Sequence, residues 1–351
     1  MPLDFDSLLA QLADLSPRLE SGDWPAKQFE LLGEAGVLGW FIPREYGGAD
    51  VSPRESIDGY MRLASACLTT TFVLTQRNGA CSRIAGCDNT ELKAELLPEL
   101  CTAGVFATVG VSHLTTSRQH LREPAIRAER EPGGFRLNGT APWVTGANRA
   151  DYVVTGGTCG DGRQILSVVP MRAPGVTVNP PPRLLALNAS QTGSVTLNDV
   201  FVEDRFLIAG PAETVMKQGI GGGAGSLTTS ALAAGAAAGT LRRLGEERAA
   251  RPALSEIHDP LVSEQEALAS DLRAAAESSA GDGASPESLR SRANSLVLRA
   301  AHAYLTAAKG AGFVAGHPAE RAVREATFFL VWSCPQPVQT AALREFACVL
   351  V

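Results

Sequence analysis

Between about residues 104 and 210 the apolar residues of this chain recur at every second position. On either side they recur every three to four. A period of two sends alternate side chains to opposite faces of a strand, and a period near 3.6 lines one face of a helix. A chain patterned this way has to enclose a sheet between two helical stretches, an α+β arrangement. The expected domains are an N-terminal α-helical domain over 1-103, a middle antiparallel β-barrel or sandwich over 104-210, and a C-terminal four-helix bundle over 211-351.

The helical signals are local and specific. Residues 5–19 carry Leu8, Leu9, Leu12, Leu15 and Leu19 at helical spacing, and residues 25–35 form a second helix stopped at Gly36. Ser52, Pro53 and Glu55 make a capping box ahead of an apolar face of Ile57, Tyr60, Met61 and Ala64. A further apolar helix covers 69–85, and Asn89 or Thr90 caps the one ending at Leu100. Beyond the sheet, long helices are expected over 226–248, 259–279 and 287–309, the last with Ser285 as cap and Pro286 at its first position. A fourth is expected from Phe328, interrupted at Cys334 to Pro337. The alanine-rich run from Ala231 to Ala238 favours association into a homo-oligomer, a dimer or tetramer.

In the middle stretch, strands are expected over 105–111, 126–130, 135–137, 152–154, 165–169, 175–178 and 193–202. Asn138-Gly139 is a tight-turn dipeptide and predicts a hairpin there. Trp143-Val144-Thr145 follows. Alternation puts Trp143 and Thr145 on one face and Val144 on the other. A flat ring beside a hydroxyl can hold a planar heteroaromatic ligand; the plainer alternative is a half-buried tryptophan with a threonine neighbour. The glycine-rich run from Gly219 to Gly225 lacks the lysine of a phosphate loop and reads as a flexible lead into a helix.

Composition excludes several classes. The chain has 351 residues, 19% of them charged, and a formal net charge of -6 with no acidic or basic block, which argues against nucleic-acid binding by bulk charge. No apolar run approaches the ~20 residues of a membrane span. Asp4 and Asp6 stand where a secretion signal needs a basic region and an apolar core. Seven cysteines without a C-x-x-C pair read as reduced thiols of a cytoplasmic protein, and five histidines without H-x-x-x-H give no metal site.

Several phrases together resemble the acyl-CoA dehydrogenase family. Gly36-Val37-Leu38-Gly39, Pro43 and Tyr46-Gly47-Gly48 are similar to a phrase of its N-terminal domain, as are Thr90, Lys93, Leu97-Pro98 and Leu100. Gly139-Thr140-Ala141-Pro142-Trp143-Val144-Thr145-Gly146-Ala147 resembles its flavin-contact strand, and Pro318 to Ala326 its P-x-E-R-x-x-R-D-A phrase. The resemblance implies FAD, contacted by Val111, Ser112, Ser117, Trp143 and Thr145. Here Ser112-His113-Leu114-Thr115-Thr116-Ser117-Arg118 stands in place of the family's T-E-P-x-x-G-S-D loop. Arg251-Pro252-Ala253-Leu254 stands in place of R-x-x-F-G, which in the family reaches a neighbouring subunit's FAD.

The family's catalytic glutamate falls by register on Ser333, and its alternative site, on the first long C-terminal helix, falls on Thr228. A serine hydroxyl is far too weak a base to abstract the α-proton of a thioester unaided. The resemblance therefore implies a flavin-dependent oxidoreductase that is not an ordinary α,β-desaturase. One form is a monooxygenase fed by a flavin reductase, with His113 and His120 as candidate acid/base groups. A second is a dehydrogenase of an acyl thioester with a displaced base and an electron-transfer partner. The third is a catalytically silent protein of the same fold, with a binding or assembly role. In the first two the substrate is a small molecule or an acyl thioester.

Overall fold

The structure is a computed structural model and describes residues 3–115, 123–218, 227–278 and 284–349. Five helices come first: α1 (Phe5–Leu15), α2 (Ala26–Glu34), α3 (Pro53–Ala66), α4 (Leu68–Ala85) and α5 (Thr90–Leu100). The expected caps are in place. The Ser52 hydroxyl accepts from Glu55 N at 3.2 Å while Ser52 N donates to the Glu55 carboxylate at 2.8 Å, and the Asn89 side chain accepts from Leu92 N at 3.0 Å.

The middle of the chain is one eight-stranded sheet of β1 (Ala107–Val109), β2 (Ile126–Glu131), β3 (Gly134–Val144), β4 (Tyr152–Thr158), β5 (Gln164–Pro170), β6 (Val176–Val178), β7 (Gly193–Glu203) and β8 (Leu207–Ala212). The short helix α6 (Ser112–Thr115) follows β1. The strand order is β6-β7-β3-β2-β4-β5-β8, with β1 against β4. Most ladders are antiparallel, as the turn-rich sequence suggested, but β1 and β2 both pair parallel to β4, so the sheet is mixed.

The hairpin expected at Asn138-Gly139 is not there. β3 runs straight through both residues, and the turn lies at Pro132-Gly133 between β2 and β3. Asn138-Gly139 instead makes a bulge opposite β7. Gly139 has φ +141°, a Cβ on it would lie 2.1 Å from Ala125 O, and the Asn138 side chain accepts from Asp199 N at 2.8 Å. The permissive backbone of an Asn-Gly pair serves a bulge as well as a turn.

The C-terminal helices are α7 (Leu227–Ala250), α8 (Ser255–Glu277), α9 (Pro286–Gly312), α10 (Pro318–Thr327) and α11 (Gln336–Phe346). Three are long. The single fourth helix expected from Phe328 is replaced by α10, a 3₁₀ turn at Phe328–Leu330, and α11, because Ser333 to Pro335 cannot continue a helix: Ser333 has positive φ and Pro335 cannot donate. The helix that completes the packing on α7 and α8 is α3, from the other end of the chain. One apolar core therefore unites both helical stretches, with Leu8, Leu63 and Phe72 in the same cluster as Leu232, Leu296 and Phe329. A second core joins Ile84, Leu96 and Leu97 to the sheet through Val153, Val168 and Val200. α4 contributes to both and is buried on nearly every side, which suits its lack of a polar face. The Ala231–Ala238 run is consumed by the chain's own core: Ala231, Ala233, Ala234 and Ala237 are fully buried within it. Among the described residues no helix is long and apolar enough to cross a membrane.

Candidate functional site

Where the sheet, α4 and the C-terminal helices meet there is a cavity of about 720 Å³. The sheet side supplies Val109 at the end of β1, Val111 and Ser112 just after it, and Trp143 and Thr145 at the end of β3. α4 supplies Phe72 and Gln76. Residues 184–187 and Thr192 come from the loop between β6 and β7, and Arg324, Thr327 and residues 328–333 close the remaining wall, except for Phe329.

Of the residues expected from the sequence, the structure brings together Val111, Ser112, Trp143, Thr145 and Ser333 in this one cavity. Trp143 is 49% exposed while Val144 is fully buried, so alternation does place the indole and the Thr145 hydroxyl on the cavity side. Ser117 and His120, together with the run from Gly219 to Gly225, lie outside the described residues. Thr228 is in the first turn of α7 and is not among the lining residues. His113 approaches Gly156 O through Nε2 at 3.0 Å, a contact with the sheet. Arg251 braces its own chain, donating to Glu247 and to Ala307 O, each at 2.6 Å.

The polar groups of the cavity are unevenly satisfied. Ser112 has a buried hydroxyl with no hydrogen-bond partner. Three further hydroxyls form a chain: Ser190 Oγ is 2.8 Å from Thr192 Oγ1, which is 3.0 Å from Thr145 Oγ1, and all three residues are buried. Either oxygen of each pair can be the donor, and three hydroxyl protons serve two bonds, so one proton has no acceptor within that chain. Thr145 and Thr192 both line the cavity. The buried Ser112 hydroxyl is in want of a partner, and an unmet buried donor costs about 1–3 kcal/mol. A planar ring edge rich in carbonyl oxygens and ring nitrogens, lying against Trp143, meets that demand, as an isoalloxazine does.

The aromatic wall is equally specific. Phe328 and Trp332 stack with ring centroids 5.0 Å apart, and Phe72 meets both edge-on at 4.9 Å. Arg324 is the one charged lining residue among those described, and its guanidinium is already engaged by Glu320, by Glu20 at 2.5 Å and by Leu185 O at 3.2 Å. No aspartate or glutamate lines the cavity among the described residues, and none clusters there to hold a metal ion.

Phe72, Gln76, Thr192 and the 184–187 loop were not singled out from the sequence. The loop is shaped by non-glycine residues in the left-handed region, Leu187 at φ +61° and Gln191 at +47°, and by reciprocal bonds between the Asn188 amide and the backbone of Leu184. Only Asn188 could have hinted at it, as a local side-chain-to-backbone turn former.

The chain runs helical, then sheet, then helical, with an apolar cavity at the junction walled by Trp143, and comparison with known proteins places this fold. Residues 9–104 match the family model described as acyl-CoA dehydrogenase, N-terminal domain. A probable acyl-CoA dehydrogenase of Bacillus subtilis is 25% identical over 201 residues, 55% of this chain and 52% of that protein. Dibenzothiophene monooxygenase of Rhodococcus erythropolis is 26% identical over 207 residues, 57% of this chain and 48% of that protein. These matches span about half the length of each relative. A solved glutaryl-CoA dehydrogenase from Mycobacterium smegmatis, in complex with FADH2, superimposes with a TM-score of 0.80 at 20% identity, over 99% of this chain and 96% of that one. Residues 9–104 thus carry the acyl-CoA dehydrogenase N-terminal domain, and the chain as a whole has the acyl-CoA dehydrogenase fold.

Proposed function

We propose that the chain binds a flavin, FAD or FMN, in the cavity and oxidises a neutral, apolar small molecule without carboxylate-assisted removal of a proton from its substrate. The observation that carries this is Ser333. It lines the same cavity as Trp143 and Thr145, in the place where the family resemblance implies a glutamate, and no carboxylate accompanies it among the described residues. Trp143 offers the ring platform. Ser112, Thr145 and Thr192 offer hydroxyls to its polar edge. Phe72, Phe328 and Trp332 offer an apolar wall to the substrate and keep water from it. When bound in reduced form, a flavin supplies two electrons to O₂, so that one oxygen atom enters the substrate and the other leaves as water. A reductase would renew it. The dibenzothiophene monooxygenase among the relatives supports this form of the reading.

The test starts from the purified chain, titrated with FAD and with FMN and freed of excess. Retained flavin absorbance is expected. Trp143→Ala and Ser112→Val should each weaken retention about tenfold, which corresponds to about 1.4 kcal/mol. With flavin bound, straight-chain acyl-CoAs should not bleach it anaerobically, whereas reduced flavin, O₂ and a panel of neutral aromatic substrates should give coupled oxygen uptake. Anaerobic bleaching by any acyl-CoA would replace this reading with a dehydrogenase using a displaced base. Absence of flavin retention in a folded protein would leave a binding or assembly role.

A further inference from the structure

All but one of the residues from Thr327 to Ser333 line the cavity, so this short stretch is a wall in its own right. Its internal constraints are weak. One 3₁₀ turn at Phe328–Leu330 is followed by Val331 and Trp332, whose N–H groups both return to Phe328 O, and then by Ser333 at φ +44°. A non-glycine residue stays in that region only where its surroundings over-determine it.

Besides aromatic packing against Phe72, the hydrogen bonds that reach Phe328–Ser333 from other elements among the described residues come from one face of α9. Arg290, on α9, is fully buried. Its Nη2 donates to Phe329 O at 3.1 Å and to Trp332 O at 2.9 Å, and its Nε donates to Asn294 Oδ1 at 2.9 Å. Asn294, one helical turn further along the same face, donates in turn to Phe329 O at 3.1 Å. Those bonds go to an amide and two carbonyls, none to a carboxylate, and Nη1 has no hydrogen-bond partner. Burial lowers the guanidinium pKa to about 10, which leaves it cationic at neutral pH. A buried cation without a counter-charge is a costly way to fill space that an apolar side chain of similar length would fill. What Arg290 supplies and such a side chain cannot is a planar fork that fixes two carbonyls of the wall at once.

We propose that Arg290, together with Asn294, is a positioning residue: it holds the Phe328–Ser333 turn in the arrangement that places Phe328, Trp332 and Ser333 in the cavity, and so sets the shape of molecule the cavity accepts. This rests on reading the cavity as the ligand site, but its test does not need a ligand. Acrylamide quenching of Trp332 is obtained as the difference between each protein and the same protein carrying Trp332→Phe. In Arg290→Met the quenching of Trp332 should rise about threefold through local opening of the turn, with far-ultraviolet circular dichroism unchanged. Arg290→Lys keeps the charge without the fork and should fall between. Unchanged Trp332 quenching in folded Arg290→Met would overturn the proposal. If Arg290→Met does not fold, Asn294→Ala decides, since it keeps the cation and its bond to Trp332 O. A selective rise in Trp332 quenching upholds the positioning role, and no rise refutes it. Failure of the wild type to retain flavin would remove the functional reading while leaving this measurement intact.

Discussion

Ser333 combines a strained backbone with a place in the cavity wall. At φ +44° its Cβ crowds the following carbonyl, a cost of about 1–2 kcal/mol that glycine escapes. Ser333→Gly should therefore raise the free energy of unfolding by about 1 kcal/mol, somewhat offset by the greater entropy that glycine loses on folding. Urea unfolding reads this directly, and an unchanged or lower midpoint would mean that the strain is absorbed elsewhere. The neighbouring site residues show what a sequence can reveal at this scale. Trp143 and Thr145 were legible because strand alternation is a property of consecutive residues, and both do face the cavity. Ser112 was legible only through the family resemblance. Phe72, Gln76 and Thr192 were not, because each reaches the cavity through tertiary packing from a distant segment, and nothing local in the sequence marks which face of α4 or which loop residue will meet it.

At the scale of elements, the caps written as Ser52, Asn89 and Ser285 all operate where the sequence puts them, since capping depends on a few contiguous residues. Elements whose identity depends on neighbours were harder to read. Asn138-Gly139 reads as a turn and serves as a bulge because β7 continues alongside it. β8 was not among the expected strands; it carries Gly210-Pro211, and proline is tolerated there on the edge of the sheet. The fourth C-terminal helix begins earlier than expected, as α10 at Pro318, and α3, about 170 residues before α7, packs on α7 and α8 as well. The α3–α7 contact yields its own prediction. Gly235 on α7 lies so close to α3 that a Cβ would stand 2.2 Å from Met61 O. Gly235→Ala gains helix propensity but has to push two packed helices apart, so a net loss of about 1–3 kcal/mol is expected. Gly160→Ala, on a loop with nothing within 4 Å of the new methyl, is the control and should change stability little. Equal urea midpoints for the two variants would show that α3 and α7 can separate at no cost.

Across the whole molecule, one ionic cluster ties the first helical stretch, the sheet and the last helices together. Arg324 of α10 is held by Glu320 on its own helix, by Glu20 from the segment after α1, and by the carbonyl of Leu185 in the cavity loop. Arg321 beside it pairs with Glu325 at 2.7 Å and Glu20 at 3.2 Å, and donates to Ser16 O at 2.8 Å. The hydrogen bond from Arg324 holds the Glu320 carboxyl below its usual range. The sign follows from that direction. A depressed carboxyl contributes stability that is present above its unfolded value of 4.5 and is lost as pH falls through the folded value. Other carboxyls of the chain are depressed as well, so acid alone does not isolate the cluster, whereas a comparison does. Between about pH 6 and about pH 3 the wild type should lose more stability than Arg324→Met, and the two unfolding curves should converge at the acid end. Proteolysis over the same range should open the wild type first between the segment after α1 and α10, because the pairs of Glu20 with Arg324 and Arg321 help to join them. Parallel pH profiles for the two proteins would mean that the cluster is solvated and that the shared apolar core alone holds the ends of the chain together.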